Sequence, residues 1–240
     1  MKLYNIILIS SIFFSIHLHA GDKSHGGDAY VCFQDIQTAD QVNKKLKEHI
    51  NPFTEKVLAK ITSAKLLDLV ELNKHNLYKF KNLKKYSLKD AREKVYHRII
   101  NRLYFIDGKY AELIDQAPIS YRTYGSLPDI ADERIKFNRK EHCAFVQIAI
   151  QDIDTGDVDR FEKIYDRLNP VHQVALDIHE KLLNYHIKQG EEDSFNVRKL
   201  VGYLFSKEFS SLKIYSKAKD QEIEDLKILT KKKFKKYLNF

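Results

Sequence analysis

Apolar positions along the chain follow two periods. In some stretches they return every three or four residues, which puts them on one face of a helix; in others they alternate or run together, as in a strand. From residue 39 to 50, Val42, Leu46 and Ile50 stand four apart among charged neighbours, an amphipathic helix that Pro52 stops. Ser87 and Asp90 form a capping pair ahead of Ala91, Val95, Ile99, Leu103 and Ile106, the clearest helical stripe, closed by Asp107-Gly108. Asn169-Pro170 opens another helix through Val171, Val174, Ala175, Ile178, Leu182 and Leu183, with Gly190 as its stop. A further helix is expected from about Ser194 to Phe209.

Strands are fewer. Residues 29–35 (AYVCFQD) form a short β-prone run, and 143–152 (CAFVQIAIQD) alternate from Phe145 onward as a strand with one buried face. Residues 135–137 are a short third strand candidate. The run 54–73 is dense with Val57, Leu58, Ile61, Leu66, Leu67, Leu69 and Val70, and fits one helix or a helix followed by a strand. Residues 114–142, with Pro118, Gly125 and Pro128, read as irregular, and Asp154-Thr155-Gly156-Asp157 as a turn. There is no internal repeat. The pattern predicts a mostly helical α+β domain with a few short strands over residues 28–209.

The two ends change the picture. Residues 1–20 have the form of a signal peptide: Lys2 is a positive start, and Leu3 to Leu18 is apolar apart from Asn5, small hydroxyls and one His. The segment closes on Leu18-His19-Ala20, so cleavage is expected before Gly21. The apolar stretch falls short of the roughly 20 residues of a membrane span, which favours cleavage over an uncleaved anchor. Gly21, where lipid attachment needs Cys, excludes lipoprotein processing at that site. The expected location is periplasmic or secreted, with residues 21–27 a flexible polar lead.

Residues 210–240 are expected to be a basic amphipathic helical extension. Glu222, Glu224 and Asp225 come early and Lys231, Lys232, Lys233, Lys235 and Lys236 late, each at the end its charge suits in the helix dipole. Such a helix packs on its own domain with lysines toward solvent, or lays those five lysines on an anionic lipid surface or an envelope protein.

Composition narrows the classes. The 240 residues are 43% hydrophobic, as in a folded chain, with 41 Lys+Arg against 33 Asp+Glu and a formal charge of +8. An excess of that size, with both signs abundant, describes a lysine-rich solvated surface. The chain carries no recognisable nucleic-acid module, and export argues against such a partner. Cys32 and Cys143 are the two cysteines. In an oxidising compartment they are expected to pair, and closing a loop of roughly 110 residues stabilises by about 4–5 kcal/mol, less any strain.

Five segments in order resemble a family of uncharacterised exported proteins of predatory Gram-negative bacteria. They are Gly26-Gly27-Asp28 leading to Cys32, Ser63-Ala64 with Leu66-Leu67-Asp68-Leu69, and Cys143 followed by Gln147-Ile148-Ala149. The helix with Ala175-Leu176 and His179-Glu180, and Val197-Arg198-Lys199-Leu200-Val201-Gly202-Tyr203-Leu204-Phe205-Ser206, complete the set. The resemblance spans most of residues 26–206 and implies export, a shared fold and a Cys32–Cys143 bridge, with no activity attached. One departure is Leu183, where the family carries Tyr four residues after the His.

His179-Glu180 is the pair that suggests chemistry. It is similar to the helix of zinc metallopeptidases, where H-E-x-x-H sets two His on one face to share an ion, with Glu as base. Here Leu183 takes the second His position. His172 and His186 share the face of His179, but seven residues of helix put neighbours about 10 Å apart, far beyond zinc bonds of roughly 2 Å. A zinc site on His179 would need Glu141, His142 or Asp152 from elsewhere. The other expectation is that His179 and Glu180 make hydrogen bonds that hold the C-terminal helices against the strands. Asp152, Asp154, Asp157 and Asp159 lack the twelve-residue calcium pattern and read as a solvated turn. No G-x-S-x-G elbow, S-x-x-K or phosphate-binding glycine loop is present. The sequence thus favours an exported, non-catalytic binding or structural envelope protein without a cofactor; the alternative is a zinc-dependent hydrolase with His179 as ligand and Glu180 as base.

Overall fold

The computed structural model describes residues 23–25, 27–70, 76–123, 142–189 and 194–211. The signal-like segment, the candidate strand at 135–137, Glu141 and the lysines at 231–236 lie outside the described residues.

Polar caps set the helix starts. After β1 (Lys23–His25) and β2 (Asp28–Phe33), Asp35 accepts the Thr38 amide and opens α1 (Ile36–Lys47). Thr54 caps a single turn, α2 (Glu55–Leu58), and the apolar run behind it divides into β3 (Ile61–Leu66) and another turn, α3 (Leu67–Val70). Ser87 accepts the Asp90 amide at the head of α4 (Leu88–Ile106). Asp107 ends that helix and caps the next, α5 (Gly108–Gln116), through the Tyr110 amide. Then come β4 (Tyr121–Thr123), β5 (Cys143–Gln147), β6 (Ala149–Asp152), β7 (Val158–Arg160) and the turn α6 (Glu162–Tyr165). Asn169 accepts the amides of Val171 and His172 to begin α7 (Pro170–Ile187), and α8 (Phe195–Leu204) and α9 (Lys207–Ser211) follow.

The strands make two small sheets, and the whole is a mostly helical α+β fold. One sheet is antiparallel in the order β3-β2-β5; the other runs β1-β6-β7-β4, with β4 parallel to β7. The chain steps directly from a strand of one sheet into a strand of the other at Gly27 and at Ile148. The Gly27 carbonyl accepts the amides of Ile148 (2.9 Å) and Ala149 (3.2 Å), so the two crossings are bonded together. Cys32 lies opposite Cys143 in the β2–β5 ladder, and the two form the disulfide. Helices α4 and α8 pack on α7, and α3 packs on α8. Among the described residues no helix is long and apolar enough to cross a membrane.

Three local expectations are corrected. The lead expected to be flexible includes β1, which pairs with β6, and Gly27, which is buried. A Cβ on Gly27 would stand 2.0 Å from Leu176 Cδ1 and 3.2 Å from Glu180 Oε1, so close approach to α7 requires glycine there. The single strand expected at 143–152 is two, because the alternation continues through Ile148 while the backbone changes sheet. The third correction is β4, which lies inside the stretch expected to be irregular; Asp107-Gly108 ends α4 as expected, and Asp107 also caps α5.

Candidate functional site

Helix α7 carries its histidines seven residues apart, and each reaches a different element. His172 Nδ1 accepts the Leu66 amide at the end of β3 (2.9 Å). His179 Nδ1 lies 2.6 Å from Asp68 Oδ2 on α3, and His186 Nε2 lies 3.2 Å from the Tyr110 hydroxyl on α5. The shared face expected from the spacing is real; what it faces is three separate partners. Burial, with Lys65 nearby, pulls the His172 pKa down to about 4 and keeps that ring neutral.

Around His179 the chain assembles a dry ionic centre. Glu180 Oε1 accepts the Gly27 amide at 2.9 Å. Arg198 on α8 donates to Asp28 Oδ2 at 2.7 Å, and its Nε stands 3.9 Å from Asp68 Oδ1. His179 and Glu180 are 0% exposed, and Asp28, Asp68 and Arg198 no more than 3%. Burial raises the Glu180 carboxyl to about 7, against the pull of His179 and the Gly27 amide. Burial also works against charge on His179, but the charge and hydrogen bond of Asp68 outweigh it and raise that pKa. The acids Asp28 and Asp68 thus sit beside the bases Arg198 and His179, the pairing that a low-dielectric interior demands. Among the described residues, the buried atoms His179 Nε2 and Glu180 Oε2 find no hydrogen-bond partner.

The other face of α7 is open. Val174, Asp177 and Lys181 line a cleft of about 670 Å³ with Leu88, Lys89, Arg92, Glu93 and Tyr96 of α4 and, beyond α5, Ala117, Ile119 and Tyr121. At its floor the Asp177 carboxylate accepts from the Tyr121 hydroxyl (2.7 Å) and Arg92 (2.8 Å), with the Tyr165 hydroxyl at 3.4 Å. Behind it the Arg160 guanidinium is stacked between the rings of Tyr121 and Tyr165, 3.9 and 3.8 Å from their centres, and donates to Glu162. Burial first, and Asp177 second, push the phenols of Tyr121 and Tyr165 above their ordinary values, so both remain hydrogen-bond donors. Lys181 gives its three donors to the Tyr96 hydroxyl and the carbonyls of Ile114 and Asp115, at 3.0–3.1 Å. Burial lowers its pKa. These contacts fix the walls of the cleft and leave Lys89 at its rim.

Three of the residues singled out for zinc chemistry have other partners in the fold. His179 meets Asp68, and Glu180 meets the Gly27 amide. Asp152 instead accepts the amides of Asp154 and Thr155 and lies 3.7 Å from Arg122. Among the described residues no group of three or more His, Cys, Asp or Glu is arranged to hold a metal ion. The acidic turn is not simply solvated: Arg122 of β4 bonds Asp159 at 2.8 Å and lies 3.7 Å from Asp157. Asp28, Asp68 and Arg198, and the whole cleft, escaped sequence reasoning. The signal for the first three was a charge set in an apolar run, as in Leu67-Asp68-Leu69 and Val197-Arg198. Compared with known protein families, curated proteins and solved structures, the chain matches none.

Proposed function

We propose that this chain is an exported, non-catalytic binding protein of the bacterial envelope, with the cleft beside α7 as its ligand site. The observation that carries this is the division of α7. Its reactive pair, His179-Glu180, is enclosed and spends an atom each on Asp68 and Gly27, while the half-buried Asp177 and Lys181 line the cleft above the buried Val174. Export rests on the signal-like residues 1–20, on the Cys32–Cys143 disulfide, which suits an oxidising compartment, and on the five-segment resemblance to exported proteins. The lysines at 231–236 would supply contact with an anionic surface.

The test is a thermal-shift screen of the mature protein, purified without chelators or a His-tag, paired with elemental analysis. A compound that raises the unfolding midpoint of the wild type and leaves Leu88→Asp unshifted is the expected result. Stoichiometric zinc that disappears in His179→Ala would overturn the proposal in favour of the hydrolase.

A further inference from the structure

The lining of the cleft points beyond binding in general to a class of ligand. We infer that it takes an amphipathic anion, a carboxylate or phosphate head on a linear apolar tail. This rests on the cleft being the binding site.

The volume, about 670 Å³, lies within the roughly 300–1,000 Å³ of small-molecule sites. One part of the lining is aliphatic: Leu88, Ala117, Ile119 and Val174. Leu88 begins α4 with 54% of its surface in water, the most exposed of the large apolar residues among those described. Covering a leucine removes apolar surface from water at about 25 cal/mol per Å². The charged part is cationic in effect. Lys89, Arg92 and Lys181 face Glu93 and Asp177, and Asp177 is already saturated by two phenols and Arg92. Lys181 is spent on the wall. Arg92 has given one donor to Asp177, while its Nε is buried, and its side chain remains 36% exposed. Lys89 makes no ion pair or hydrogen bond among the described residues. Arg92 and Lys89, three residues apart on α4, are neighbours on one helix face and flank the entrance beside Leu88. An anionic oxygen supplies the acceptor that Lys89 lacks, beside the partly exposed guanidinium of Arg92, and a tail laid along Leu88 and Ile119 covers the apolar surface they leave in water. A cationic head would meet Lys89 and Arg92 with like charge.

Calorimetry with four ten-carbon amphiphiles below their micelle concentrations tests this: decanoate, decyl phosphate, decanol and decyltrimethylammonium. Decanoate and decyl phosphate are expected to bind one per chain; a preference between them tells a fatty-acid source from a phosphate-ester source. Decanol should bind at least roughly tenfold more weakly and decyltrimethylammonium not at all. Lys89→Glu should weaken both anions roughly tenfold and leave decanol unchanged, while Leu88→Asp weakens the anions and decanol alike. Both positions are exposed, so circular dichroism should show both variants folded. Equal affinity for all four heads, or no response to Lys89→Glu, overturns the anionic head and leaves the cleft as the site. If none of the four binds but a screened compound is lost in the folded Leu88→Asp variant, the ligand class falls alone. If no compound responds to any cleft variant, the class and the site fall together.

Discussion

The two faces of α7 handle charge in opposite ways. On the inner face, five ionisable side chains from β2, α3, α7 and α8 are sealed from water, and each has a partner drawn from another part of the chain. On the outer face Asp177 and Arg92 form a similar pair, but they are 16% and 36% exposed, and water shares the work of solvating them. A buried group without its partner has nothing to replace it; a surface group has the solvent. The inner face is therefore where substitutions should unfold the protein, and the outer face where they should change what it binds.

The largest expected effect is at Arg198. Arg198→Leu removes the buried guanidinium that pairs with Asp28 and should destabilise by about 3–5 kcal/mol in urea unfolding. A loss near that of a surface pair, under about 1 kcal/mol, would erase the distinction between the faces. Next is Gly27→Ala, whose new methyl must displace Leu176 and disturb the amide that Glu180 accepts. Overpacking of this kind should lower stability by about 1–3 kcal/mol.

Glu180 sharpens the comparison through pH. In the fold its carboxyl keeps a proton up to about pH 7, whereas its ordinary value is 4.5. The folded state binds more protons across that window, so stability falls as pH rises through it. His179, raised from 6.5, acts in the same direction: its contribution is full below pH 6.5 and is lost as pH rises through its folded value. His172 acts oppositely, since a ring held neutral down to about 4 loses its contribution as pH falls from 6.5 toward 4. Glu180→Gln keeps an oxygen for the Gly27 amide and removes the titration. It should match the wild type near pH 4.5 and exceed it at pH 8 by up to about 3 kcal/mol, read as the pH dependence of the thermal midpoint. An unchanged pH profile would mean that Glu180 is not the titrating group.

Outer-face effects should be smaller. Asp177→Asn retains an acceptor for Tyr121 but removes the charge opposite Arg92, and should lower stability by about 1 kcal/mol. Lys89→Glu should change stability by no more than about 0.5 kcal/mol while altering ligand affinity. A large stability loss there would place Lys89 in the frame and not at the mouth of a site.

Much of the fold was legible because its signals are local. The Ser87–Asp90 cap and the stripe from Ala91 to Ile106 mark α4, and all five stripe residues are buried. Asn169-Pro170 marks the start of α7, and the two cysteines of an export-like chain meet across β2 and β5. The division at Ile148 was not legible, since an alternating pattern is the same whether a strand stays in one sheet or changes to another. Nor was β4, three residues whose pairing with β7 is set by a parallel neighbour distant in sequence.

The sequence by itself determined the periodicities, the caps, the disulfide partners and the row His172, His179 and His186 on one helix face, because all of these depend on residue type and spacing within a segment. Only the tertiary structure decided what that face meets. Asp28, Asp68, Glu180 and Arg198 are brought together across separations of more than a hundred residues. Nothing in a local window records such a meeting, because the free energy of a buried charge depends on which opposite charge the fold delivers to it. The same holds for the cleft, whose lining from α4, α7 and the segment between α5 and β4 becomes a site only when those elements pack.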